Sequence, residues 1–517
     1  MTRTSESVSV HTRPTARRAQ VDRRALQWTT PEKVWVVALV AVVAIQGAWH
    51  LGHASLWNDE AATWAISGHS FRGLFHVIQS SGGDRGAALY YFVMFVWIHL
   101  FGSSEVALRA LSLVAASLTM IPFHACARRL VAPTAAWAAG AVLATSAFYL
   151  EHARDARTYS LAVLLVVLAV WTFLRALESA SPQDWFLFSV FAVLAIYVHW
   201  FSALVIVALF VALLATRPEG EIRRRATTSA VVLGAATLPL CVLVVTGANS
   251  GVDWIAPLNV AELRATATQF AGTGDVALQL VIAMLLVTGL VASWASRRTE
   301  CPSPIVVTWF SVPIVVTILV SIVKPVLVPR YLIIALPAYA LAIGAGLSTF
   351  GRRRVIPVAL LTLTFVACCY ADIWHTGAAG ENWRAIAASV DARAHPDDAI
   401  VVYPATAVSS FSYYARQDAT LRARSGPTWP PSRWDAPFTR AIANSSVARQ
   451  RDILGAPVVW LVVRQPRGDT ISASVKAAPA LRALRRQLGA RFATMTVIGP
   501  WHTSKIVSVV RYSNPRP

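Results

Sequence analysis

Residues 151–178 read EHARDARTYSLAVLLVVLAVWTFLRALE, a short charged stretch followed by a long apolar run. An α-helix rises about 1.5 Å per residue, so the run from Tyr159 to Glu178 can cross the roughly 30 Å hydrocarbon layer of a membrane. The pattern predicts a transmembrane helix that begins at a polar loop, 151–158.

Similar runs recur along the chain. Of its 517 residues 56% are hydrophobic and 14% are charged, against about 25% charged in soluble domains, which excludes a soluble fold. The sequence predicts a polytopic α-helical membrane protein of about eleven spans, near 34–51, 106–126, 133–150, 159–178, 184–200, 201–216, 228–247, 276–296, 304–323, 331–349 and 355–371.

The Arg residues predict the topology. The formal charge is +20, and much of it lies in a basic tail (residues 1–33) and in short loop runs, as in cytoplasmic loops of membrane proteins. These runs share the side of the tail only if the apolar segment 86–101 does not cross. We therefore expect 86–101 to be a helix in the outer interface, the N-terminus to be cytoplasmic and the C-terminus extracytoplasmic, in a multi-pass protein of the plasma (inner) membrane. Nucleic acid is not an expected partner, because no basic stripe on a soluble module carries exposed aromatics.

The composition changes after Ala371. Short apolar runs at 399–403, 458–463, 492–498 and 506–510 predict buried strands, and 383–394 and 475–488 have helical spacing. We expect three parts: the basic tail 1–33, a transmembrane domain 34–371, and an extracytoplasmic α/β domain 372–517.

An acidic pair, Asp59 and Glu60, follows the first apolar run in the sequence Trp57-Asn58-Asp59-Glu60-Ala61. A carboxylate at the membrane surface is well placed to act as a general base toward a hydroxyl. The alternative, which the spacing supports equally, is a solvated loop acid or a helix cap.

The loop 151–158 packs two acids, two arginines and a histidine between two apolar runs. Ionisable groups at this depth are costly unless they face a shared cavity. Asp155 and Arg157 are the candidates here, against the alternative of an interhelical ion-pair network or interfacial anchoring.

Two cations flank a proline-bounded link, Lys324-Pro325-Val326-Leu327-Val328-Pro329-Arg330-Tyr331. Fixed cations suit a phosphate, and Arg can bind two of its oxygens at once. The alternative is contact with outer-leaflet headgroups. Arg85 and His199 are weaker candidates.

Taken together, these motifs resemble the GT-C membrane glycosyltransferases, in the branch of the protein O-mannosyltransferases and the lipid A aminoarabinose transferase (family 39-like). The resemblance covers most of residues 50–400. Its further motifs are Leu89-Tyr90-Tyr91, the stretch 100–109, Asp155-Ala156-Arg157-Thr158-Tyr159, His199-Trp200-Phe201, Pro329-Arg330-Tyr331 and Trp383-Arg384.

The resemblance implies transfer, with inversion, of a sugar from a polyprenyl-phosphate donor to a cell-envelope glycan, glycolipid or protein on the outer face of the membrane. Asp59 would be the general base, Glu60 its support and Asp155 the second acid of the site. The donor phosphate would be bound by Arg157, Tyr159, Lys324, Arg330 and Tyr331, with Arg85 and His199 as possible additions. No metal or other cofactor is expected.

One motif departs from the family. Where many relatives have a His-Pro-Pro or Lys-Pro-Pro turn, this chain has Asp84-Arg85-Gly86-Ala87-Ala88, which leaves the donor sugar and the acceptor open, with mannose or arabinose favoured. Two other functions stay open: a flippase or transporter of lipid-linked sugars, and a non-catalytic envelope assembly factor. Transport predicts ionisable groups at mid-membrane and an internal repeat, neither of which is evident.

Overall fold

The computed structural model describes ten ranges of the chain: residues 28–79, 85–246, 255–295, 304–350, 381–395, 397–403, 407–415, 454–464, 471–498 and 507–516. The predicted span 355–371 and residues 1–27 of the basic tail lie outside them.

Helices make up most of the described chain up to Phe350. They are α1 Thr30–Ala48, α2 Asn58–Ser67, α3 Phe71–Gln79, α4 Ala88–Phe101, α5 Glu105–Leu130, α6 Pro133–Ala144, α7 Ala147–Ala153, α8 Tyr159–Ser179, α9 Pro182–Val198, α10 Ser202–Ala215, α11 Gly220–Thr246, α12 Val260–Ala271, α13 Val276–Ala295, α14 Ile305–Val323 and α15 Leu336–Ser348. A 3₁₀ turn, Pro329–Ala335, leads into α15.

The prediction of a polytopic helical membrane protein is confirmed. Among the described residues, seven helices are long and apolar enough to cross a membrane: α1, α5, α8, α11, α13, α14, and α15 together with its leading turn. Four shorter apolar helices accompany them, at 85–101, 133–144, 182–198 and 202–215.

One predicted span is interrupted. The run 133–150 is not one helix, because it breaks between Ala144 and Ala147, and the Ser146 side chain accepts from the Tyr149 amide to begin α7. At about 1.5 Å per residue, α6 alone reaches roughly 18 Å, short of a full crossing.

Ion pairs identify one end of the bundle. Arg128 at the end of α5 pairs with Glu32 at the start of α1 at 2.9 Å, and Arg129 pairs with Glu178 at the end of α8 at 2.9 Å. We call this the basic end, since the last residues of the tail and Arg128 meet here. The opposite end, where α1 finishes and α5 and α8 begin, is the site end.

Both ends of α4 lie at the site end. The Gly86 carbonyl just before α4 accepts from the Trp200 amide at 3.1 Å, where α9 has just finished. Near the end of α4, the Trp97 indole donates to Ala107 O in the first turn of α5 at 2.8 Å. The chain thus returns to the end it left, which is the arrangement that the Arg distribution requires.

A small mixed sheet follows the membrane helices. Its elements are α16 Trp383–Asp391, β1 Ala399–Tyr403, α17 Val408–Ala415, β2 Val459–Arg464, α18 Ile471–Arg491, β3 Phe492–Ile498 and β4 Val507–Pro515. The strand order is β1-β2-β4-β3, with β1 and β2 parallel and the other pairs antiparallel. All four strands coincide with predicted runs to within a few residues.

The two faces of the sheet pack differently. Trp460 and Val462 belong to the apolar core that includes Trp383 of α16 and runs into the membrane helices. Val459 and Leu461 face a separate small core closed by α18. The layers therefore run from membrane helices through α16 and α17 to the sheet, with α18 outermost.

Candidate active site

The acidic pair lies in the first turn of α2. Trp57 precedes the helix, and its amide donates to the Glu60 carboxylate at 3.2 Å. Consecutive residues on a helix point about 100° apart. Asp59 and Glu60 therefore face different surroundings.

Glu60 is sealed in the protein. Arg109 from α5 binds it with two hydrogen bonds, Nε to Oε1 at 2.7 Å and Nη2 to Oε2 at 2.6 Å, and the Ala156 amide donates to Oε1 at 3.0 Å. Burial raises the pKa of the Glu60 carboxyl against the opposing influence of Arg109. A carboxylate with both oxygens engaged supports its neighbours and cannot readily accept a substrate proton.

Arg109 was missed as a site residue by sequence reasoning. Arg109 also donates to backbone carbonyls of the loop that leads into the acidic pair, residues 49–57, here called the acidic loop. The acceptors are Leu51 O at 2.8 Å and Ala54 O at 2.9 Å. One signal was available, since an Arg in the second turn of an apolar span demands a buried acidic or carbonyl partner.

Asp59 is open where Glu60 is closed. About a quarter of its side chain is exposed, and Arg330 Nη2 lies 3.5 Å from its Oδ2. Arg157 lies beside the backbone of the same residue, with Nη1 at 3.5 Å from Asp59 O and 3.3 Å from Thr63 Oγ1. The structure thus brings together one accessible carboxylate and two guanidinium groups.

Asp155 completes the acidic part of the site. Its Oδ1 accepts from the Trp57 indole at 3.0 Å, and its Oδ2 lies 3.6 Å from Nδ1 of His152. Asp155 is buried. Its contacts hold the Trp57 ring, which in turn lies 5.6 Å below the Arg330 guanidinium.

A cluster of aromatic rings lies beside Arg330, and its members are Tyr331, His199 and Tyr159. The centroid of the His199 ring lies 5.8 Å from that of Tyr159 and 5.4 Å from that of Tyr331. Burial, together with the charges of Arg157 and Arg330, lowers the pKa of His199 to about 3, so the ring is neutral near pH 7. Within the described residues, the Tyr159 hydroxyl and His199 Nδ1 have no hydrogen-bond partner. Buried polar atoms of this kind are expected to bind a ligand or water.

Two other cations that the sequence predicts as phosphate ligands, Lys324 and Arg85, lie in different surroundings from Arg157 and Arg330. Lys324 is exposed at the end of α14. Arg85 donates to the carbonyls of Gln79 and Leu243, both at 3.0 Å, and so ties the start of α4 to α11. As for metals, no three His, Cys, Asp or Glu side chains of the described ranges form a group that could hold an ion.

The C-terminal part of the chain clamps the acidic loop. The Leu56 amide donates to Tyr414 Oη at 2.7 Å, and the Trp383 amide donates to Ser55 Oγ at 3.1 Å, while Ser55 Oγ donates to the Glu381 carbonyl. The bonded residues, Ser55 and Leu56, lie only a few positions before Asp59 in the chain.

Arg384 extends the clamp. It donates to the carbonyls of Gly52 at 3.2 Å and His53 at 3.3 Å, and it pairs with Glu105. Tyr414 donates to the same Glu105 carboxylate. Arg109 on one side and the C-terminal residues on the other therefore fix the backbone that presents Asp59.

Part of the chain matches a known protein family. Residues 86–246 match the family model described as dolichyl-phosphate-mannose-protein mannosyltransferase. The match covers about a third of the chain, and over it the chain is similar to the membrane mannosyltransferases of this family. This match agrees with the predicted enzyme class, a glycosyltransferase that takes its sugar from a polyprenyl-phosphate donor.

Solved structures share the GT-C fold. ArnT from Cupriavidus metallidurans bound to undecaprenyl phosphate matches with a TM-score of 0.57 at 16% identity, over 93% of this chain and 99% of that one. The arabinofuranosyltransferase AftD from mycobacteria matches with a TM-score of 0.53 at 14% identity, over 95% of this chain and 40% of that one.

A third match is the archaeal oligosaccharyltransferase AglB from Archaeoglobus fulgidus, in complex with an inhibitory peptide and a dolichol-phosphate. Its TM-score is 0.52 at 11% identity, over 91% of this chain and 74% of that one. No curated protein sequence matches significantly. At these identities the structural matches establish the fold alone.

Proposed function

We propose that this glycosyltransferase moves a mannose or arabinose residue from a polyprenyl phosphate to an envelope glycan, glycolipid or protein hydroxyl. The supporting observation is the contrast between neighbours: Asp59 is open between two guanidinium groups, whereas Glu60 is closed by Arg109.

Asp59 is the general base in this proposal. Its carboxylate removes the proton of the acceptor hydroxyl as the acceptor oxygen attacks C1 of the sugar. The bond between C1 and the phosphate oxygen breaks on the opposite face, so the configuration inverts and polyprenyl phosphate leaves. Proton removal by a positioned carboxylate contributes roughly 10²- to 10⁴-fold to such a step.

Arg157 and Arg330 bind the phosphate of the sugar donor, and the Tyr159 hydroxyl gives it a further hydrogen bond. Negative charge grows on the phosphate as the C1 bond breaks, and fixed cations at that position stabilise the transition state more than the ground state. The neutral His199 ring lies against Tyr159 and carries no charge that would repel either arginine. Tyr331 and Trp57 pack around the Arg330 guanidinium and hold it in place.

The site end of the bundle faces outward in this proposal. Arg128 and Arg129 lie at the basic end together with the N-terminal tail, and cytoplasmic loops carry the excess of Lys and Arg. The donor lipid then reaches Arg330 from the outer leaflet, and the acceptor approaches past the C-terminal sheet.

The test uses purified protein in nanodiscs, radiolabelled polyprenyl-phosphate mannose and arabinose, and a panel of envelope glycolipids. We expect Asp59→Asn to slow transfer by about 10²- to 10⁴-fold while still binding polyprenyl phosphate. Asp275→Asn is the matched control, because Asp275 caps α13 at the site end outside this cluster and Asn also caps helices. Wild-type transfer rates in the Asp59 variant would disprove the general-base assignment.

A further inference from the structure

The last 48 residues of the chain, 470–517, contain eight Lys or Arg residues and no Asp or Glu. They are Lys476, Arg482, Arg485, Arg486, Arg491, Lys505, Arg511 and Arg516. The membrane helices do not account for this charge, since most of it lies on or beside α18, β3 and β4, away from Arg128 and Arg129 at the basic end.

Helix α18 carries the charge on the outermost layer. Leu481, Leu484 and Leu488 hold the helix to the sheet. The opposite face of the sheet belongs to the core shared with α16 and the membrane helices. The outer surface of α18 is therefore directed away from the bilayer.

Three arginines on α18 are exposed. Arg482, Arg485 and Arg486 are spaced i, i+3 and i+4, which puts them on one helix face. Within the described part of the chain, no ion pair involves any of them. By contrast, Arg491 donates to the Leu454 carbonyl, and Arg511 lies over the Trp460 ring.

A groove continues this surface. Arg485 and Arg516 flank it, and the exposed side chains of Met495 and Val497 on the edge strand β3 form its apolar floor. Charged groups beside an open apolar floor suit a partly apolar polyanion. The ring carbons of an acidic sugar present such a surface, with the carboxylate or phosphate at the edge.

We propose that the α18 and β3 surface binds an acidic polysaccharide that carries carboxylate or phosphate groups. Arg482, Arg485 and Arg486 form the charged contacts, and the groove accommodates the sugar rings. A bilayer is the poorer fit because the surface points away from the membrane helices. A nucleic acid is also disfavoured, since Phe492 and Tyr512 beside the groove are buried and cannot stack on bases.

Binding can be measured on the full chain in phosphatidylcholine nanodiscs, by fluorescence anisotropy with labelled polygalacturonate and with polyphosphate. We expect Arg482→Gln/Arg485→Gln/Arg486→Gln to raise the Kd about 10-fold or more, because exposed charge contacts of this kind act additively at modest strength. The affinity of the wild type should fall steeply with added salt. Unlabelled neutral dextran should not compete.

The matched control is Arg223→Gln/Arg224→Gln/Arg225→Gln, which removes three surface charges from the start of α11. It should keep the wild-type Kd, and Asp59→Asn should keep it too, which separates this surface from the catalytic proposal. Equal loss in both triple variants, or an unchanged Kd in the α18 variant, would overturn the proposal. Stronger association with phosphatidylglycerol vesicles than with the polymers, lost in the α18 variant, would identify a bilayer as the partner instead.

Discussion

The two ends of the helical bundle carry Arg and acid pairs of different kinds. At the basic end, the pairs of Glu32 with Arg128 and of Arg129 with Glu178 are all partly exposed. At the site end, Glu60 and Arg109 are almost completely buried, yet Asp59 and Arg330 beside them are about one-quarter exposed. Within the site end, the pair that holds the fold is closed off by its partners, whereas the pair beside it remains open.

Disruption of the buried pair, Glu60 and Arg109, should have the largest effect on stability. Arg109→Gln leaves the Glu60 charge buried without its partner, and we expect a loss of about 3–5 kcal/mol in the free energy of unfolding. Thermal unfolding in detergent measures the loss. Glu60→Met/Arg109→Met, which removes both charges, should recover most of the stability but not the transfer activity. A single variant as stable as the wild type would remove the distinction between sealed and open pairs.

The open pair should show the reverse pattern. We expect Arg330→Gln to slow sugar transfer by about 10²- to 10³-fold, because it removes a donor from the charge that develops on the phosphate. The melting temperature should change little. Arg128→Gln, at the basic end, is the control and should transfer at the wild-type rate. A large loss of stability without a change in the transfer rate would place Arg330 among the structural charges.

His199 should give the site end a pH dependence. Its pKa is lowered to about 3 by burial and by the neighbouring arginines, whereas the unfolded side chain has a pKa near 6.5. As the pH falls below about 6.5 the unfolded chain gains a proton that the folded chain does not, so stability falls, by about 2 kcal/mol at pH 5.

Melting temperatures from pH 7 to pH 5 measure this dependence. His199→Gln should flatten the decline, and His99→Gln, which changes an exposed ring of α4, should retain it. A decline unaltered in the His199 variant would mean that the ring is protonated in the folded protein.

The pairs of the basic end should break with the smallest effect. We expect Glu178→Gln to cost less than about 1 kcal/mol, since a partly exposed ion pair gains little over its solvated ions. Transfer activity should be unchanged. A cost comparable to that of Arg109→Gln would contradict the comparison between the ends.

The membrane helices and the four strands could be predicted because each depends on a local property, the length and period of an apolar run. The break in 133–150 could not. Thr145 and Ser146 are compatible with a membrane helix, and the new helix is marked by the capping bond that the Tyr149 amide donates to Ser146 Oγ.

The site was predicted in part for the same reason. Asp59, Glu60, Asp155 and Arg157 stand out as polar residues next to apolar runs, and a pattern of that kind is visible locally. The different surroundings of Asp59 and Glu60 depend on Arg109, 49 residues away from Glu60, and on the direction in which each carboxylate points. No spacing within the acidic motif carries that information.

The clamp on the acidic loop joins residues that are far apart along the chain. Tyr414 holds Leu56 across 358 positions, and Glu381 and Trp383 hold Ser55 across more than 320. During synthesis the membrane helices are complete well before Tyr414 has been made. A nascent or truncated chain would therefore contain every acid and arginine of the site without the contacts that fix its backbone. The loop that precedes Asp59 is held in place only after residues 381–414 have folded onto it.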